Sequence, residues 1–460
     1  MITIKNELYC YDIFPKVLTA GKMTTVTISP RGVRPFPDAE LTVKIRPLTE
    51  ASAGLYPTRP GRCDINVRPD GSGDIRFDFD FPIESEYFIR VFSGDSRILQ
   101  MSVYAVEGDL VGRFPLIGDQ HMHTTRSDGR QIPAIVSAQY RGYGYDYMAI
   151  TDHGRYYPSL EVMDDYKDVD HAVTFCPGEE IHLPENDVHI VNFGGKYSVN
   201  GIWEGSGQIK EAGECAEKRT YEGFDAPKIL TAAEIKAEAE ALIPGLGLPD
   251  YVEALPYAMC VWEFEHIKKA GGVGIFAHPY WISDMFQVPE SFTRYMLEKH
   301  PFGAFELLGG EIYYEQNGFQ VAMYNQVRAE GIDFPIVGST DTHNCYPDNP
   351  GSRVDYTVTF SPENTREALV SSILGGYSVA VDSTMPEDRV YGQLRLVKYA
   401  WFLMRHYFTL PQRAGNAAED GRLMAEYALS RDPDRRSDLA GRMADLKKDY
   451  LAAQKKYIDF

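Results

Sequence analysis

The segment GDQHMHTTRSDG, residues 118–129, sets His121 and His123 one residue apart and follows them with Asp128 and Gly129. In extended backbone, residues i and i+2 point the same way. Both imidazoles then aim at one point, which suits two nitrogens on one metal ion. Two histidines exposed on one face of a hairpin are the plainer reading of HxH alone. More histidines and acids recur after short apolar runs. His153 follows YMAIT, Glu180 follows AVTFCPGE, His278 follows GVGIFA, and Asp341 and His343 follow FPIVGST. His189 instead opens HIVNFG, at the start of its run. Six of the 11 histidines fall in these places, which turns the balance toward a metal site. Imidazole with carboxylate suits manganese, iron or zinc, and the absence of cysteine from the set speaks against a closed structural zinc site.

Those side chains need strand ends to carry them. From about residue 113, the apolar runs YDYMAI, AVTFC, DVHIVNFG, GVGIFA, GAFELL and FPIVG alternate with helical patterns such as IPAIVSAQYRGYG, CVWEFEHIKKAGG and GFQVAMYNQVRAEG. Buried strands alternating with helices predict an α/β domain over 113–388 with a parallel sheet, open or closed into a barrel. In β/α barrels the rim at the strands' C-terminal ends carries the active site. Gly129 is expected to take a positive φ in a tight turn.

Residues 1–112 read differently. LTVKI, DIRFDFDF and LQMSVYA alternate with period two, and turn signals such as RPDGSG separate them. They predict an immunoglobulin-like β-sandwich that shapes the site entrance or an oligomer contact. Between 195 and 259 the strand–helix alternation lapses. TAAEIKAEAEAL is a helix there, with Thr231 and Glu234 spaced as a capping box. The segment reads equally as a lid or as a solvated decoration. Long helical patterns from 389 to 460 predict a C-terminal appendage.

Bulk properties narrow the function. With 460 residues, 44% of them hydrophobic, the chain can bury a substantial core in two or three domains. A net charge of −20 without a basic stripe argues against nucleic acid. The longest apolar stretch near the C-terminus, YAWFLM, is too short to span a bilayer, and no signal peptide is evident. Six widely separated cysteines fit a reducing, cytoplasmic compartment. GVGIFA matches a dinucleotide fingerprint only formally, since His278-Pro279 follows where a helix should begin. GGKYS lacks the first glycine of a phosphate loop, and no nucleophile elbow is present.

Taken in order, GDQHMHTTRSDG, GYDYMAITDHG, PGEEI, HIVNFG, FAHP and GSTDTHN resemble the motifs of the PHP (polymerase and histidinol phosphatase) family, over about residues 115–385. The resemblance implies a distorted seven-stranded TIM-like β/α barrel holding two or three divalent ions (manganese, iron or zinc) and hydrolysing phosphate esters, carbamates or other esters. It is to the two-domain metallohydrolases rather than the polymerase members. Carried over by position, His121 and His123 hold one ion with Glu180 and Asp341. Glu180 bridges to a second ion held by His189 and His278. Asp128, His153 and His343 hold a third; many members have histidine where Asp128 stands. Glu180 is preferred to Glu179 because it fits PGxE. Glu179, His182 and His171 are expected to be solvated rim groups.

Two ions sharing a water lower its pKa from 15.7 towards about 7. The expected function is hydrolysis of a small soluble phosphate ester, with a carbamate, amide or ester hydrolase on the same centre as the alternative. A metal-stabilised binding protein is the alternative outside enzymes. Arg126, Arg155 and Arg353 stand near the motifs as candidate phosphate clamps or as surface ion pairs. A homo-oligomer is compatible with this sequence.

Overall fold

The computed structural model describes residues 7–32, 34–49, 61–282, 284–309, 314–346, 355–383 and 387–460. They divide into two compact units. The first comprises Met1–Phe114, Lys398–Arg413 and Lys448–Phe460; the second comprises Pro115–Val397 and Ala414–Lys447.

In the first unit, period-two alternation decides which face is buried. Leu41, Val43 and Ile45 of the strand Leu41–Pro47 are buried, and Thr42, Lys44 and Arg46 between them are partly exposed. Tyr11–Phe14, Thr24–Pro30 and Ile75–Phe79 make one antiparallel sheet. A second, six-stranded sheet runs Cys63–Val67, Leu41–Pro47, Ser85–Ser93, Ser96–Val106, Val17–Thr19, Ile458–Asp459. One apolar cluster containing Ile28, Val43, Ile89 and Met101 joins both sheets. Ser96–Val106 departs from alternation, with every residue from Leu99 on buried. Its second face is covered by C-terminal rings: Tyr399 and Phe402 lie 4.9 and 5.4 Å from Tyr104.

Residues 389–460, expected as an appendage, are therefore shared between the units. Tyr399 and Phe402 fall in the first. Leu423, Met424, Leu439 and Met443 join the second unit's core beside Tyr140 and Met148. Apolar helix faces bury themselves where a core accepts them, and the helical pattern does not say which core.

The second unit is mixed α/β. Its six-stranded sheet runs Thr174–Cys176, Tyr147–Ala149, Phe114–Asp119, Asp355–Ser361, Ser378–Asp382, Arg389–Tyr391. Its five-stranded sheet runs Gly178–Ile181, Ile190–Phe193, Val273–Phe276, Ala304–Leu308, Ile336–Gly338. All six apolar runs are strands, but the sheets are not wholly parallel. Ile190–Phe193 lies antiparallel to both neighbours. The loop 182–189 that leads into it is too short for a crossover, which needs a dozen residues or more.

Isolated parallel bridges Met122↔Thr342 and His153↔Glu180 join segments just past or at the strand ends of the two sheets. The insertion is neither a detached decoration nor wholly exposed. Val199, Ile202, Leu230 and Ile235 lie in the core with Trp262 and Phe276, and Thr231 and Glu234 form the expected capping box. Among the described residues, no helix is long and apolar enough to cross a membrane.

Candidate metal centre

His121 and His123 leave the end of the strand Phe114–Asp119. Backbone bonds lock their segment: His123 N–H donates to Thr342 O at 2.9 Å, and Thr124 N–H to Asp152 Oδ1 at 2.8 Å. Asp119 accepts from the His121 N–H at 3.0 Å and from Thr340 Oγ at 2.5 Å, tying the segment before His121 to the one before Asp341. Asp341 has φ of 46°, a left-handed conformation uncommon outside glycine that recurs at functional sites.

The antiparallel direction of Ile190–Phe193 explains His189. Ile190 pairs with Phe276, so the start of one strand lies beside the end of the other. His189 thereby comes within 4.9 Å, ring to ring, of His278. Its place at a strand start is a consequence of sheet direction.

Ligand-type atoms gather in overlapping groups whose members lie within 4.8 Å of one another. One holds His121, His123 and Asp341; one holds Glu180, His189 and His278; one holds His123, Asp128, His153 and His343. All nine residues singled out in the sequence are among them. Glu180 is central. Its Oε2 lies 3.3 Å from Nε2 of both His121 and His123 and 2.7 Å from His153 Nδ1. Its Oε1 lies 2.7 Å from His189 Nδ1. His123 Nε2 is 3.0 Å from Asp341 Oδ1.

These contacts are close but not hydrogen bonds. The Nε2 atoms of His121 and His123, both Glu180 oxygens and His189 Nδ1 are buried without a hydrogen-bond partner. Burying so many polar atoms unpaired is costly, and divalent cations held among them would satisfy them. The donor set, imidazole and carboxylate without thiolate, fits such ions.

The electrostatics agree. Burial opposes charge on Glu180, yet His153, His189 and His121 hold its carboxyl well below the usual range. Burial likewise opposes Asp341, and His121 and His123 hold it low. Against burial, Glu180 and Asp128 raise His153 to about 10. The Glu180 carboxylate beside His278 and the Asp128 carboxylate beside His343 raise these two to about 9 each, again against burial. Burial and the His153 cation push His123 down to about 3.

Asp128 faces the cluster. Its Oδ2 lies 3.5 Å from His153 Nε2 and 3.4 Å from His343 Nε2. Gly129 does not have the expected positive φ. Its requirement is space, because a Cβ there would meet Thr124 N at 2.6 Å and the His123 carbonyl at 2.7 Å.

The neighbours of these residues need correction. Glu179 is not solvated but fully buried, bonded by Ser198 Oγ at 2.7 Å, Val199 N–H at 2.5 Å and the amides of Asn192 and Asn200 at 3.0 and 2.9 Å. His182 is half-buried, with its Nε2 2.7 Å from His153 Nδ1, because the strand end at Ile181 keeps it beside the cluster. His171 packs 5.2 Å from the Phe175 ring, outside the metal-type groups among the described residues.

The arginines are engaged. Arg126 forks onto Glu161 at 2.8 and 2.5 Å, and Arg155 onto Glu211 at 2.7 and 2.5 Å. Arg353 lies outside the described residues. Glu306 escaped the sequence reading. It is fully buried and 3.0 Å from His121 Nδ1. The signal for it was a lone acid inside the apolar run GAFELL.

No family model and no curated protein matches the chain. Among solved structures, it is similar to a two-domain protein containing a predicted PHP-like metal-dependent phosphoesterase from Bacteroides vulgatus. That match is 16% identical at TM-score 0.41 and covers 65% of this chain and 72% of the other. It is also similar to an amidohydrolase from Chromobacterium violaceum, 15% identical at TM-score 0.31, covering 50% of this chain and 88% of the other.

Proposed function

We propose that the chain is a metal-dependent hydrolase of the PHP type, with a TIM-like barrel in its second unit, acting on a small soluble phosphate ester. The observation that carries this reading is the set of buried, unpartnered nitrogens and carboxylate oxygens around Glu180. His121, His123, Glu180 and Asp341 would hold one manganese, iron or zinc ion. Glu180, His189 and His278 would hold a second, and Asp128, His153 and His343 a third. Ions bound there supply Lewis acidity, which lowers the pKa of water and neutralises phosphoryl oxygens.

The residues also define an approach. His121 and His123 have fully buried side chains, whereas those of His182, His343 and Asp128 are 39%, 38% and 54% exposed. Substrate enters from the exposed side, and the buried side excludes water. Asp119 and Asp152 hold the ligand-bearing loops in place through their backbone bonds. The net charge of −20 without a basic stripe argues against nucleic acid as the substrate.

A second reading, hydrolysis of a carbamate, amide or ester, is favoured by one observation. Arg126 and Arg155 are already neutralised by Glu161 and Glu211, so neither offers a free guanidinium to a phosphate dianion. A hydrolysis screen of manganese-loaded protein on phosphomonoesters, phosphodiesters, carbamates and amides tests both. Phosphomonoester turnover abolished by a chelator is the expected result, and carbamate or amide turnover instead selects the second reading. Full metal loading with no turnover in any class overturns both and leaves a metal-stabilised binding protein.

A further inference from the structure

Glu306 lies outside the nine-residue set, in the middle of the strand Ala304–Leu308, whose five residues are all buried. A charge in such a strand is costly unless something demands it. Its Oε2 lies 3.0 Å from His121 Nδ1, and both side chains are fully buried. The other ring nitrogen, Nε2, lies 3.3 Å from Glu180 Oε2 and 3.3 Å from Asp341 Oδ1. Glu306 therefore faces Nδ1, the other nitrogen of the same imidazole, and its carboxylate also falls in a metal-type group with His121 and His278.

Further contacts hold it there. The Glu306 carbonyl accepts from Gln320 Nε2 at 3.3 Å. A Cβ at Gly309 would come within 2.9 Å of Glu306 Oε1 and 3.3 Å of His278 Cβ, so glycine at 309 leaves room for the carboxylate beside His278.

An imidazole that donates from one nitrogen is committed to offering the lone pair of the other. Carboxylates placed this way orient metal-binding histidines and raise their basicity. We infer that Glu306 is a positioning residue: it accepts the Nδ1–H of His121, fixes that tautomer, and commits Nε2 to a metal ion. This rests on the metal-centre reading above.

The test uses full-length protein labelled with 15N-histidine, as wild type, Glu306→Gln and Glu306→Leu. Zinc affinity is measured by competition with a chelator, and nitrogen NMR reports the His121 tautomer in the metal-free and zinc-loaded states. Glu306→Leu is expected to weaken one zinc site about 10- to 100-fold and to lose the fixed Nδ1–H signal. Glu306→Gln, whose amide oxygen still accepts, is expected to lose only a few-fold and to keep that signal. Unchanged zinc affinity in Glu306→Leu overturns the inference. So does a zinc-loaded wild-type His121 that lacks the Nδ1–H, which is read without any variant. Wild-type protein that takes up no zinc while showing the Nδ1–H tautomer contradicts the metal reading and leaves the Glu306 contact standing, so the two failures are separable.

Discussion

Glu179 and Glu180 are consecutive in the strand Gly178–Ile181, both fully buried, and they face opposite sides of it. Glu179 meets hydroxyl, amide and backbone N–H donors from residues 192–200. Glu180 meets six histidine rings and has no hydrogen-bond partner on either oxygen. Their titration differs in sign. Burial raises the Glu179 carboxyl despite its bonds, while the histidines hold Glu180 well below the usual range despite burial. The strand's period of two thus sends one acid to build the fold and its neighbour to build the site.

The largest expected effect comes from breaking the Glu180 side. Glu180→Gln should lower hydrolysis by roughly 10³-fold or more and reduce metal content, with the fold retained. Steady-state rates and elemental analysis check it. Near-normal turnover with full metal would make the two glutamates equivalent.

Breaking the Glu179 side should do the reverse. Glu179→Leu strands the donors of Asn192, Ser198, Val199 and Asn200 and should cost about 3 kcal/mol of stability. Metal bound per folded molecule should stay the same. Denaturant melts with and without metal measure this, and loss of metal without loss of stability would contradict it.

A smaller effect follows from pH. The raised values of His153 (about 10), His278 (about 9) and His343 (about 9) lie above the unfolded value of about 6.5. Their stabilisation in metal-free protein is complete below about pH 6.5 and is lost as pH rises through about 9 to 10. The lowered Glu180 and Asp341 act oppositely, contributing above about pH 4 and losing it in acid. The metal-free thermal midpoint should therefore fall between pH 6.5 and 10, and bound metal should flatten that fall. Calorimetry showing the same fall with and without metal would contradict the clustered charges.

The smallest effect is a control. Thr365 caps the helix Arg366–Leu374 through Ala368 N–H. Thr365→Ala should cost about 1 kcal/mol in a denaturant melt and leave metal affinity unchanged.

Much of the site was legible because metal ligands have few chemical alternatives and strand ends have a fixed period. His121 and His123 advertise themselves by spacing, and His153, His278 and Asp341 by following apolar runs. His189 was harder to place because strand direction is not written in an apolar run; the short loop before it was the clue. Glu306 was missed because its histidine follows a strand of the other sheet, and the lone acid in GAFELL does not name that partner. The C-terminal helices show apolar faces, but Tyr399 and Leu423 find different cores. Gly129 looks like a turn glycine, and only the backbone of His123 and Thr124 reveals that it is there for space.

The central claim is that these buried, unpartnered atoms exist to hold divalent ions. Elemental analysis of freshly purified protein tests it most directly. Two to three equivalents of manganese, iron or zinc per chain is the predicted result. Less than one equivalent, with none taken up on soaking in those ions, would contradict it.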